Sequence, residues 1–151
     1  MDRMDREILA ALQQDGKITL TALAEQVQVS VSACHRRVRE LERSGVIRDY
    51  RARIDAASVD LGFQAFLFVT MREGGADVLE RFEEALRNVA EVIDAQRLFG
   101  DPDYLVRVAT RDLDTFQRLY DEHLSALPGV LRLSSTLVMK QIVHDRPLPI
   151  R

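Results

Sequence analysis

Ser30-Val31-Ser32-Ala33-Cys34-His35-Arg36-Arg37-Val38-Arg39-Glu40-Leu41-Glu42-Arg43 is the stretch on which the reading of this chain turns. Wound as a helix, it places Cys34, Val38 and Leu41 on one side at the i, i+4, i+7 spacing of a buried stripe. On another side Ser32, Arg36, Arg39 and Arg43 follow the same kind of spacing. Such a helix anchors in a small core while presenting hydroxyl and guanidinium groups to an anion. The DNA major groove answers that description, because Arg makes the commonest specific base contact and also grips phosphates. A solvated, Arg-rich face is the competing reading, since charge runs usually only solubilise. The flanking sequence separates the two.

Upstream, residues 5–14 read as a first helix burying Ile8, Leu9 and Leu12, with Gly16 suited to a left-handed position after its end. Thr19 or Thr21 can cap a second helix that buries Leu20, Leu23, Ala24 and Val27. The short turn Gln28-Val29 then leads to Ser30 as the cap of the third helix, which stops at Ser44-Gly45. Three short helices with a tight turn between the second and third make a helix-turn-helix. Over residues 46–54 apolar and charged residues roughly alternate, as in a short strand, and a strand there is the wing of a winged helix-turn-helix. Arg48, Arg51 and Arg53 then either add phosphate contacts or form the wing's wet face.

Downstream, residues 55–62 read as a connector, dividing a DNA-binding domain (residues 1–54) from a second domain (residues 63–151). The second domain alternates strand (65–72), helix (76–88), strands (92–99 and 104–110), helix (113–127) and a closing strand (130–143). The order βαββαβ is the ferredoxin-like arrangement, so the fold class expected is α+β, with an antiparallel sheet and both helices on one face. Phe66, Leu67, Phe68 and Val69 put apolar residues on both faces of the first strand, which calls for a second copy of the sheet and hence a homodimer.

Composition agrees. With 46% hydrophobic and 30% charged residues among 151, the chain has the make-up of a folded globular protein. Its longest apolar run is far short of the ~20 residues that span a bilayer, and its N-terminus lacks an apolar secretory core, so a cytoplasmic protein with no membrane partner is expected. The single cysteine, Cys34, permits no internal disulfide and no Cys-based metal cluster. Net charge is −3, but residues 30–53 carry seven Arg against Glu40, Glu42 and Asp49, a local +4. Salt screens charge beyond about 8 Å, so this local patch is what a polyanion meets. The three histidines, His35, His123 and His144, share no metal-ligand spacing, and no phosphate-binding glycine loop or nucleophile elbow is present. No enzyme activity, metal or cofactor is expected.

Essentially residues 4–149 resemble the Lrp/AsnC (feast/famine) family of transcription regulators. The resemblance is carried by Met4-Asp5-Arg6 with Ile8-Leu9, by Leu12-Gln13-Gln14-Asp15-Gly16-Lys17-Ile18, and by Leu23-Ala24 with Val27. It continues through Val29-Ser30, Cys34-His35-Arg36-Arg37-Val38, Leu41-Glu42, Gly45-Val46-Ile47 and Tyr50. In the second half the matches are Gly100-Asp101-Pro102-Asp103-Tyr104, Leu127-Pro128-Gly129-Val130 and Thr136-Leu137-Val138-Met139. Each motif alone is weak; their number, order and spacing make the match. Two departures stand out: Val31-Ser32-Ala33 replaces prolines found in several members, and Lys140 with His144-Asp145-Arg146 stands where a basic residue follows the closing strand. The resemblance implies DNA binding through the N-terminal domain, dimers that assemble into octamers or similar rings, and an amino-acid effector held between subunits.

For double-stranded DNA the candidate contacts are Ser32, Ala33, His35, Arg36, Arg37, Arg39 and Arg43, with Arg43 toward backbone. Arg37 falls close to the buried stripe, so an ion pair with an acid of the first helix competes with a DNA role. Cys34 reads as a small buried hydrophobe, and His35 points roughly 100° away from it, so the two are not a catalytic dyad. The loop Gly100–Tyr104 is by itself favoured turn chemistry, Asp followed by Pro. The resemblance implies that it lines the effector pocket, with Asp101 or Asp103 for an ammonium group and Gly100 allowing close approach to a carboxylate. Leu98 and Tyr104 would flank the ligand's side chain, and a partner subunit would contribute Ser135, Thr136 and Val138. A DNA-wrapping architectural protein without effector, and a metabolite-binding enzyme subunit, are the alternatives from other classes.

Overall fold

A computed structural model describes residues 1–150. The chain forms two compact units, residues 1–53 with the tail 142–150, and residues 54–141. The tail thus groups with the first unit, whereas the sequence reading runs the second domain over residues 63–151.

In the first unit α1 (Arg3–Gln14) begins with a capping box. The Asp2 side chain accepts from the Asp5 amide, and the Asp5 side chain accepts from the Asp2 amide. It ends on Asp15 in extended backbone, whose Oδ1 accepts from Lys17 N at 2.8 Å, so Gly16 is not the left-handed terminator expected. Thr19 caps α2 (Leu20–Gln26) and Ser30 caps α3 (Val31–Arg43), each hydroxyl accepting from the amide three residues on. Gly45, at φ +74°, turns the chain away after α3. Ile8, Leu9, Ala11, Leu23, Ala24, Val27, Cys34, Val38 and Leu41 form one core, and Cys34 is fully buried in it. Burial, with no cation to offset it, pushes the Cys34 thiol above its usual value.

Residues 46–54 form no strand. A strand needs a ladder partner, and among the described residues no strand pairs with this segment. Its alternation is used otherwise: Ile47 packs on the three-helix core, its amide donates to Leu41 O, and Tyr50 Oη donates to Glu42 at 3.0 Å. An irregular arm without strand pairing occupies the position of the wing.

The second unit is the expected βαββαβ. β1 (Phe63–Met71), β2 (Val92–Arg97), β3 (Tyr104–Thr110) and β4 (Val130–Leu137) form one antiparallel sheet in the order β2-β3-β1-β4. Ala65, Leu67, Val69 and Met71 alternate with Tyr104, Val106 and Val108 to build a core against α4 (Ala76–Arg87) and α5 (Leu113–Leu119), which continues as a wider turn over Tyr120–Leu124. β4 stops at Leu137, which pairs with Ala65 near the start of β1, short of the 130–143 expected. Along the opposite face run Phe66, Phe68, Leu105 and Arg107, with Thr136 and Ser134 paired to the two phenylalanines. The Nε of Arg107 is buried there without a hydrogen-bond partner.

The Asp2 carboxyl lies below its usual 3.8, chiefly through the Asp5 amide and then through Arg37. Because the folded state favours the charged form, its contribution is complete above pH 3.8 and is lost as pH falls through the lowered folded value. Thermal unfolding followed between pH 5 and 2 should therefore show a steeper acid loss for the native chain than for Asp2→Asn; parallel curves would dismiss the cap as a stabiliser.

Candidate DNA-binding helix and effector loop

α3 carries seven of the residues singled out, and the structure sorts its arginines by what they touch. Ser30 Oγ accepts from Ala33 N at 3.2 Å and lies 3.2 Å from Ser32 Oγ, so hydroxyls and the first turn of the helix share one end. Arg37 Nη1 donates to Asp2 Oδ2 and to Asp5 Oδ1, both at 2.7 Å. This is the ion pair with the first helix weighed as its alternative role, and these bonds raise the Arg37 pKa further. Arg43 is gripped by Glu40 through Nε at 3.0 Å and Nη2 at 2.6 Å, a two-point pair that lowers the glutamate and raises the arginine. Arg51 pairs with Asp49 at 2.7 Å and Arg53 lies 3.9 Å from Asp145.

Arg36, Arg39 and Arg48 are different. All three are exposed, and among the described residues none has an ion-pair or hydrogen-bond partner. Arg36 and Arg39 stand three apart, on the side of the helix away from Cys34, Val38 and Leu41. Ser32 is exposed one turn before Arg36, while Ala33 and His35 are half-buried. The local positive charge of the sequence thus concentrates into fewer unneutralised guanidinium groups than composition indicates.

In the second unit residues 98–103 join β2 to β3, and the loop is tied to the sheet rather than free. Leu98 N donates to Asp103 O at 2.7 Å, Asp103 N donates to Val69 O at 2.9 Å, and Asp103 Oδ2 accepts from Met71 N at 2.7 Å. Asp103 therefore commits its carboxylate to the end of β1. Asp101 keeps an exposed carboxylate: Thr70 Oγ1 donates to its Oδ1 at 3.3 Å, and Arg132 Nη2 lies 3.5 Å away. Thr70 and Arg132 are register partners across β1 and β4. One acid, one base and one hydroxyl thus meet beside Gly100, whose φ of +143° and open surroundings leave its backbone approachable. Leu98 is partly exposed and Phe99 wholly so.

Tyr104 requires a correction. It is 2% exposed, its ring lies 4.7 Å from that of Phe82, and its Oη donates to Glu83 at 2.8 Å. β3 turns its even-numbered residues toward the helices, so Tyr104 is a core side chain on the face of the sheet opposite Thr70 and Arg132. Burial and the Glu83 carboxylate push its pKa up to about 12. Ser135 and Thr136, being adjacent on β4, face opposite sides of the sheet. Thr136 shares the face of Thr70, but lies four residues from Arg132, about 13 Å at the rise of a strand. Val138 follows, its amide donating to Gln64 O. Within one chain, then, Asp101 and Gly100 are together while Thr136 and Val138 are distant from them. Sequence reading misses Thr70, Arg132 and Phe99. Phe99, expected inside the second strand, lies in the loop after it, and the other two acquire meaning only from the register of β4 on β1.

Among the described residues no group of three or more His, Cys, Asp or Glu side chains is placed to hold a metal ion, and no helix is long and apolar enough to cross a membrane.

Two family models match in the same order: a winged helix-turn-helix DNA-binding domain over residues 1–48 and the Lrp/AsnC ligand-binding domain over residues 64–148, the second reaching into the tail that groups with the first unit. The leucine-responsive regulatory protein of Escherichia coli K12 is 34% identical over all of this chain and 92% of its own length. A transcriptional regulator from Neisseria meningitidis, solved as a complex with L-Met, superposes with a TM-score of 0.93 at 36% identity, covering 99% of this chain and 96% of that one. An AsnC family regulator from Agrobacterium tumefaciens gives a TM-score of 0.93 at 33% identity, covering 99% and 97%. An arginine-bearing helix capped for a groove, followed by a ferredoxin-like domain with a ligand-binding family model, is thus matched in order and over full length: the chain belongs to the Lrp/AsnC family, transcription regulators rather than enzymes, with a DNA-binding helix-turn-helix and a ligand-binding domain.

Proposed function

We propose that this cytoplasmic regulator reads DNA with Ser32, Arg36 and Arg39, supported by Ala33, His35 and Arg48, and that Arg37 and Arg43 mainly hold the helix. The observation that carries this is the contrast along α3: two arginines free and exposed, two neutralised by acids of the same chain. A guanidinium already paired must lose its partner before it can bind a phosphate or guanine, whereas a free one loses only water.

The effector is a free amino acid held on the face of Asp101, Thr70, Arg132 and Gly100, with Leu98 and Phe99 offering apolar contact. An ammonium beside Asp101 and a carboxylate beside Arg132 complete the charges of a zwitterion. Similarity to a methionine complex and to a leucine-responsive protein supports an apolar side chain. A second chain covers the Phe66 and Phe68 face, brings its own Thr136 and Val138, and offers an acceptor to Arg107, while Ser135 stays on the helix side of its sheet; dimers then build octamers. A thermal-shift screen with each of the twenty amino acids tests the effector. A ligand at 100 times its Kd stabilises by about 2.7 kcal/mol, and Asp101→Asn should abolish the shift. No shift with any amino acid would favour an architectural DNA-binding protein, and a native chain that fails to retard its own upstream DNA would remove the regulator reading.

A further inference from the structure

The chain passes between its two units twice, once at residues 53–54 and again at residues 141–142. The second passage starts from β4, the strand that carries Ser135 and Thr136, and ends in a tail fastened to the DNA-binding unit. Gln13 on α1 clamps that tail with its side-chain amide: Leu148 N donates to Gln13 Oε1 at 2.7 Å, and Gln13 Nε2 donates to Leu148 O at 3.2 Å. Ile150 packs against the three-helix core, and its amide donates to Leu148 O at 2.8 Å. Pro147 and Pro149 bring no amide hydrogen, so both N–H groups of residues 147–150 are satisfied. Nearer the passage, Arg53 Nη2 donates to His144 O at 3.3 Å and lies 3.9 Å from Asp145. Leu148 and Ile150 also close one side of a cleft of about 1120 Å³ between α1 and the arm 46–53.

We propose that residues 142–150 are a strap that transmits the state of the effector domain to the recognition helix. The physical line is continuous. β4 leads through residues 138–141 to the strap, the strap holds α1 through Gln13 and Ile150, and α1 holds α3 through the Arg37 bridge to Asp2 and Asp5. A shift of β4 on ligand binding pulls at the same helix whose N-terminus anchors the recognition helix. The inference rests on the reading of the second unit as effector-binding, and differs from it in naming the tail, rather than the 54–62 linker alone, as the connection.

The test compares three proteins: the native chain, Gln13→Ala, and a chain ending at residue 146. Each is measured for binding of the amino acids by calorimetry and for affinity to its upstream DNA with and without them. The native chain should respond by a factor within the ~5–150-fold range of allosteric coupling. Gln13→Ala should keep amino-acid binding and lose most of that factor, and the shortened chain should bring it within about twofold of no response. If the native chain responds and both variants respond equally, the strap is overturned while the effector reading stands. If the native chain binds no amino acid, the effector reading fails and the strap as a transmitter fails with it. Gln13→Ala also guards against simple misfolding, since it leaves Ile150 in place.

Discussion

Replacing Arg36 and Arg39 together by alanine should weaken binding to the protein's own upstream DNA by at least about thirtyfold, taking ~1–3 kcal/mol for each groove or phosphate contact. The fold should not change, because both side chains are exposed and bond to no described residue. Arg43→Ala is the informative control. Its guanidinium already satisfies Glu40, so the substitution removes a charge pair rather than a free cation, and affinity should fall less than about threefold. Salt adds a second readout. If the two free arginines neutralise phosphates, the slope of log affinity against log salt should become shallower by roughly 0.9 for each phosphate left without its arginine. Groove contacts to guanine would instead leave the slope and relax sequence preference. A double variant that binds as tightly as the native chain would end the assignment of this face. Arg37→Ala should behave in a third way: it releases Asp2 and Asp5 and loosens α1 from α3, so thermal stability should fall with affinity.

These distinctions could not have been drawn from the sequence. Spacing identifies the buried stripe Cys34, Val38 and Leu41 and the facing row of Ser32, Arg36, Arg39 and Arg43, since both follow from the helical period alone. Which arginines are free depends on partners, and partners come from two sources. Glu40 and Arg43 are three apart on one helix and are legible in principle. Arg37 meets Asp2 and Asp5 more than thirty residues away, and only the closeness to the core stripe hints at it. The arm 46–54 shows the opposite error. Alternation suggests a strand but does not suffice for one, and with no ladder partner the same residues form an irregular segment. The tail escapes for a similar reason. Nothing in Pro147-Leu148-Pro149-Ile150 names its docking surface, and a glutamine on α1 carries no periodic signal. At the effector loop the turn is legible from Asp-Pro, whereas Tyr104 falls on the wrong side unless its strand phase is followed through. A strand beginning at 104 with Val106 and Val108 buried must bury Tyr104 as well.

The same strand phase leads to the largest expected loss of stability, from Phe82→Ala. Phe82 is fully buried between α4 and the sheet, against Tyr104 and the β1 and β3 residues that share its core. Truncating a phenylalanine in such a site costs about 3–5 kcal/mol, through the transfer energy of the removed ring and the cavity left behind. For a unit of this size each kcal/mol is roughly 4–8 °C in melting temperature, so its transition should move down by more than about 12 °C. The three-helix core has no residue in common with this one. Calorimetry should therefore show the effector unit melting early while a second transition persists, and Leu23→Ala, buried in the other core, should produce the reverse order. DNA binding then discriminates further. Phe82 lies in the second unit and the proposed DNA contacts in the first, yet on the dimer reading its loss removes the pairing of recognition helices, and with it the gain in effective concentration that a second half-site supplies. Affinity should fall at temperatures between the two transitions and recover below both. Were the affinity to stay unchanged after the effector unit had melted, single helix-turn-helix units would suffice for binding; were both variants to move one shared transition equally, the two cores would fold as one.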